Sequence, residues 1–137
     1  MSIPTHNDIG AYVKAQIGIS PKNASAGATN GAAIDRQNFG SCALHVAAGA
    51  ATGSPTAQTV DAKLQESADG STGWTDITGA AITQIAADNG EAEKDVDLSS
   101  TKRYVRAVVT VSFTGGTAPA IPVAATAVFG GGNTLPV

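Results

Sequence analysis

Cys42 and His45 stand three residues apart in the segment SCALHVAA, the spacing of a C-x-x-H metal-ligand pair. A structural zinc ion needs about four such ligands. The chain offers one cysteine and one further histidine, His6, far upstream. Neither histidine has a nucleophile at a useful spacing. FGSCA lacks the second glycine of the G-x-S-x-G elbow, and no strand-to-helix turn follows it. Cys42 therefore reads as a core thiol and His45 as a surface imidazole, and no enzyme is expected. Glu91, Glu93, Asp95 and Asp97 place oxygen ligands at every second position, a density that could hold calcium. Alternate residues of a strand share one face, however, so a solvated acidic edge gives the same pattern. No glycine-centred loop of the EF-hand kind accompanies them. The run GGG at 130–132 is not followed by Lys-Ser/Thr, which removes a phosphate loop. No metal and no cofactor are expected.

Two further groups could make contacts rather than chemistry. Lys102, Arg103 and Arg106 form a small basic cluster, but Arg103 and Arg106 differ by an odd number and fall on opposite faces of a strand. One of them is expected to meet the acidic stretch 88–97 across a strand pairing. Trp74, the only tryptophan, is either a sugar platform or a core anchor. Sugar-binding sandwiches usually present several aromatic residues, and this chain has six in all: Tyr12, Phe39, Trp74, Tyr104, Phe113 and Phe129. Trp74 and Ile77 cannot both face inward without an irregularity, because their spacing is odd. In a chain so poor in large side chains a core tryptophan would contribute about 3–5 kcal/mol. Trp74 is read as the core anchor.

The elements that must position these residues are strands. In SCALHVAA, Cys42, Leu44, Val46 and Ala48 share a face. In QTVDAKLQES, Val60, Ala62 and Leu64 point one way and Asp61, Lys63 and Gln65 the other. RYVRAVVTVSF is dense in Val, Thr and aromatics, the most strand-prone run in the chain. AYVKAQIGI, GAAID, WTDI, EKDVDL and VAATAVF supply the others. SPKNASAGATNG at 20–31 reads as turn throughout, and Asn89-Gly90 marks a tight turn. No window shows a helical apolar stripe. About eight strands at this spacing predict an all-β, single-domain, jelly-roll-like sandwich. Residues 11–129 form the domain, with a flexible arm at 1–10 and a Gly-rich tail at 130–137.

Composition bounds the partners. Charged residues make up 14% of the 137-residue chain and its net charge is −3, which argues against nucleic acid. Nine of the eleven acids lie between Asp61 and Asp97. No apolar run is long enough to span a bilayer, and MSIPTHNDIG has no secretory h-region, so no membrane partner is expected. Cys42 being alone fits folding in a reducing cytoplasm. Ala, Gly, Thr and Val replace the missing charges. Such small side chains lose little rotamer entropy on burial and can pack flat against something large.

The runs AAIDRQNFGSCALHV, AKLQESADGSTGWTDI and DLSSTKRYVRAVVTV resemble a family of small tailed-bacteriophage proteins encoded among head genes. These are the capsid decoration, or cement, proteins, the jelly-roll cement proteins of short-tailed phages among them. The likeness covers roughly residues 30–130 and assigns no contact residue. It implies a virion protein on the outside of an expanded icosahedral shell, bound to the major capsid protein and bridging its subunits, as a dimer or trimer. From the residues themselves, Ile3, Pro4 and Tyr12 in the arm are the expected capsid contacts, because an end that is loose alone can fold along a partner. The alternative class is a carbohydrate-binding sandwich module, which requires Trp74 exposed beside polar groups that orient a sugar. A different phage head or tail component is a further alternative.

Overall fold

Alternation of apolar and polar residues is realised in nine strands: β1 (Lys14–Ala24), β2 (Gly27–Asn30), β3 (Ile34–Asp35), β4 (Phe39–Ala48), β5 (Ala57–Ser67), β6 (Thr75–Ala81), β7 (Glu91–Asp97), β8 (Tyr104–Thr114) and β9 (Ile121–Gly132). The structure is a computed structural model and describes residues 8–137. Ile3 and Pro4 lie outside the described residues. A short 3₁₀ turn at Ile9–Ala11 precedes β1.

The strands form two antiparallel sheets, one ordered β1-β9-β4-β7 and the other β2-β8-β5-β6, with β3 also paired to β8. Counting β2 and β3 as one interrupted strand, the pairs are first with last (β1–β9), second with seventh (β2/β3–β8), third with sixth (β4–β7) and fourth with fifth (β5–β6). A long antiparallel ribbon wrapped around a core gives this nesting, which is the jelly roll. The chain is thus an all-β, jelly-roll sandwich.

The core lies between the sheets and is built almost wholly from the inward half of each strand. Cys42, Leu44, Val46 and Ala48 of β4 are buried, as are Val60, Ala62 and Leu64 of β5. Val105, Ala107, Val109 and Val111 of β8 and Ile121, Val123, Ala125, Ala127 and Phe129 of β9 complete the two central layers. Phe129 is the largest fully buried side chain and packs against Phe39 with ring centroids 5.6 Å apart.

Three expectations need correction. Residues 20–31 are not turn throughout: β1 continues to Ala24, and β2 occupies Gly27–Asn30. β1 is an edge strand, and its register shifts between Ile19 and Lys22, around Pro21. An edge bulge is where a strand tolerates a residue without an N–H donor. The Gly-rich tail does not begin at residue 130, because β9 runs to Gly132, where Gly132 pairs with Phe39. The last five residues fold back, with Asn133 N–H donating to the Asn38 carbonyl at 2.9 Å and Val137 N–H to the Ala11 carbonyl at 3.2 Å. Trp74, the third, is not in the core.

Candidate functional site

The residues that could do chemistry are dispersed. Cys42 and His45 occupy opposite faces of β4, since their spacing is odd. Burial pushes the Cys42 thiol up to about 12, against a smaller opposing effect of the Val128 backbone, so the free thiol stays protonated near neutral pH. His45 faces outward with Nε2 2.8 Å from Glu91 Oε2. Among the described residues no three His, Cys, Asp or Glu side chains gather to hold a metal. Asp97 accepts from the Ser99 backbone N–H at 2.8 Å, which holds its carboxyl below the usual range.

The basic cluster also separates. Arg103 donates to Asp35 through Nη2 at 2.8 Å, and Arg106 donates to Gln65 Oε1 through Nε at 3.0 Å and Nη2 at 2.8 Å. Neither arginine makes the expected pairing with residues 88–97. Asp88 instead accepts from the Ala51 N–H and the Gln58 side chain, and Glu91 meets His45.

Trp74 is half-buried on the outer face of the five-stranded sheet. Ile77 packs against the core, so the odd spacing sends Trp74 and Asp76 to the other side. The Arg106 guanidinium lies over the indole, with Cζ 4.4 Å from the ring centroid, a cation–π arrangement. Asp76 pairs across the sheet with Gln65, and Gln65 with Arg106, so the three side chains form one row. Gln65 passes hydrogen bonds along it: its carbonyl accepts from Arg106, and its amide donates to Asp76 Oδ1 at 2.8 Å. Lys63 Nζ meets the other Asp76 oxygen at 2.7 Å, and these two donors, Lys63 first, hold the Asp76 carboxyl below the usual range.

The loop that delivers Trp74 is tied to itself. The Asp69 carboxylate accepts from the backbone N–H groups of Thr72 and Ser71, each at 2.8 Å, and from the Thr72 hydroxyl at 2.7 Å. Those bonds, the Thr72 backbone first, hold its carboxyl far below the usual range. The fully buried Ser67 hydroxyl accepts from the Gly70 N–H at 3.1 Å. Gly70 adopts φ +75°, and a methyl there would press at 3.0 Å on the Tyr104 ring.

The outer face of the four-stranded sheet has a different character. Its register aligns Ala15, Val128, Ala43 and Asp95 in one row, and Ile17, Thr126, His45 and Glu93 in the next. A third row runs Ala124, Ala47, Glu91. Three strands thus present small, mostly uncharged side chains, and Ile17 is 64% exposed. The edge strand β7 borders them with Glu91, Glu93, Asp95 and Asp97, all exposed. Among the described residues His45 is the only basic group that pairs with this row. Tyr12 is half-buried at the end of the 3₁₀ turn, beside Gly130 at the same end of this sheet.

The sequence reading gave the acidic edge and a small-residue surface without placing that surface on a sheet, and it put Trp74 on the wrong side. For Trp74 the parity against Ile77 was available, and Ile77 was the residue to place inside. For the four-stranded sheet the sign was the outward half of β4 and β9, where Ala43, Ala47, Ala124 and Thr126 stand in positions that usually carry charge.

No family model matches the chain, and no curated protein matches it. Solved structures similar in fold include the Eiger TNF from S. frugiperda, with TM-score 0.50, 6% identity and coverage of 90% of this chain and 94% of that one. The SPBc2 prophage-derived protein YomS is similar at TM-score 0.47 and 16% identity, over 85% of this chain and 91% of that one. Infectious bursal disease virus VP2 is similar at TM-score 0.48 and 12% identity, over 88% of this chain and 33% of that one. At such identities the likeness is one of fold.

Proposed function

We propose that this protein is a structural, non-enzymatic virion component that docks the outer face of its four-stranded sheet onto the expanded capsid of a tailed phage. The observation that supports it best is that face: three strands of small side chains bordered by one row of carboxylates. A sheet surface of Ala, Thr and Val loses little side-chain entropy when covered. An interface of about 1,200–2,000 Å² suffices for stable association. The β7 carboxylates would fix the register against a basic rim on the major capsid protein, since charge complementarity governs orientation and encounter more than affinity. The sequence resemblance to capsid decoration proteins supports the same reading.

A molecule seated across two capsid subunits resists their separation because it must lose its contacts first. Assembly as a dimer or trimer multiplies the hold through effective concentration. The test is co-sedimentation of the purified protein with expanded, undecorated shells, with unexpanded shells as control. Saturable binding to expanded shells at a fixed ratio to capsid protein, with a rise in shell melting temperature, is the expected result. Absence of binding to either shell overturns it.

A further inference from the structure

We infer that the outer face of the five-stranded sheet is a carbohydrate-binding site, with the Trp74 indole as the stacking surface and Arg106, Asp76 and Lys63 as the groups that orient the sugar. The inference does not depend on capsid docking, because it concerns the opposite side of the sandwich.

Placement is the first argument. The one indole in the chain sits half-buried on an outer face, although the core is filled mainly by Val, Ala and Ile and, among the described residues, holds a single buried aromatic, Phe129. Preorganisation is the second. The Asp69 and Ser67 bonds fix the turn that precedes Trp74, Gly70 is seated on the Tyr104 ring, and Arg106 holds the indole from one side at 4.4 Å. A rigid aromatic loses little freedom on binding, which leaves more of the contact energy for the ligand.

Unused hydrogen-bonding capacity is the third. Arg106 spends Nε and Nη2 on Gln65, and its Nη1 makes no hydrogen bond among the described residues. Asp76 receives one bond on each oxygen, so each keeps a lone pair, and Lys63 spends one of its three donors. Donors and an acceptor thus stand beside an apolar plate, the mixture that recognises a pyranose: its C–H face stacks on the ring while its hydroxyls take directional bonds.

Charge separates this ligand class from the other one that stacks on tryptophan. Single-stranded nucleic acid needs a positive groove along its backbone. Here Lys63 and Arg106 alternate with Asp76 and Asp61 on the same face, and the chain as a whole carries −3. A neutral or weakly acidic polysaccharide fits that balance.

Trp74 is the only tryptophan, so its emission reports the site directly. The full chain is run in native gels containing a soluble β-glucan, a galactomannan, a xylan or polygalacturonate, and each polysaccharide is titrated against Trp74 fluorescence. Retardation by at least one, with a saturable emission change, is expected. Trp74→Ala should weaken retardation by about tenfold or more with little change in melting temperature. Trp74→Phe, which keeps a ring and guards against misfolding, should retain part of it. Asp76→Asn should shift the preference among the four. No retardation and no emission change with any of them overturns the inference, as does retardation that survives in folded Trp74→Ala. An emission change produced by a single-stranded DNA oligonucleotide alone also overturns it.

Discussion

Trp74 and Phe129 show how differently two aromatic side chains of one sandwich serve it. Phe129 is fully buried against Phe39, and removing its ring leaves a void in the core. Phe129→Ala should cost about 3–5 kcal/mol in urea unfolding. Trp74 gives up half-buried surface and one stacked guanidinium, so Trp74→Ala should cost only about 1 kcal/mol. Equal losses for the two variants would restore Trp74 to the core. Asp69 offers a pH test on the adjacent turn. Its carboxyl is held well below the ordinary value of 3.8 by the Thr72 and Ser71 backbone bonds. A depressed folded-state pKa adds stability that is fully present above the unfolded value and is lost as pH falls below it toward the folded value. Asp69→Ala should therefore be less stable than the parent at pH 7, and the gap should close progressively below about pH 3.8 in thermal melts.

At the level of elements, strands with clean alternation were legible in the sequence and those without were not. β4 and β5 appear where the period of two put them, with the expected residues inward, and β7 and β8 appear where the runs EKDVDL and RYVRAVVTVSF put strands. The end of β1 and all of β2 were hidden, because Ser20, Pro21, Asn23 and Asn30 favour turns locally and only sheet pairing makes them extended. Asn89-Gly90 is a turn as expected, with Asn89 at φ +56°, but it passes the chain from one sheet to the other instead of closing a hairpin. Where β2 leaves β8, Gly31 donates its N–H to the Ala107 carbonyl at 2.7 Å, and a methyl there would overlap the Gly18 carbonyl oxygen. Two backbones meet at that point and neither can retreat without breaking its pairing. Gly31→Ala should cost more than about 3 kcal/mol, or prevent soluble expression. Gly40→Ala, whose added carbon would make an ordinary 3.5 Å contact with the Gly131 carbonyl, should stay within about 0.5 kcal/mol.

The whole molecule has two outer faces of opposite design, and the sandwich keeps them apart. One is flat, small and bordered by acid; the other carries an aromatic plate within a row of mixed charges. Composition pointed to a small-residue surface but could not place either face, because each depends on which residues the register brings side by side: Val128 beside Ala43, Gln65 between Asp76 and Arg106. Outward positions of a sheet contribute little to folding, so a charge placed on one face should leave the other intact. Ala47→Arg together with Val128→Arg raises two long cations from the small-residue face while leaving every buried position untouched. This double variant should melt within a few degrees of the parent, lose binding to expanded shells by about a hundredfold or more, and keep its retardation by polysaccharide. Trp74→Ala should show the reverse pattern. The controls make the crossed outcome decisive, since a general loss of folding would abolish both activities together. If the arginine pair left shell binding unchanged, the docking surface would have to lie elsewhere, with the exposed Ile9 and Leu135, near where Val137 meets Ala11, as the next place to substitute.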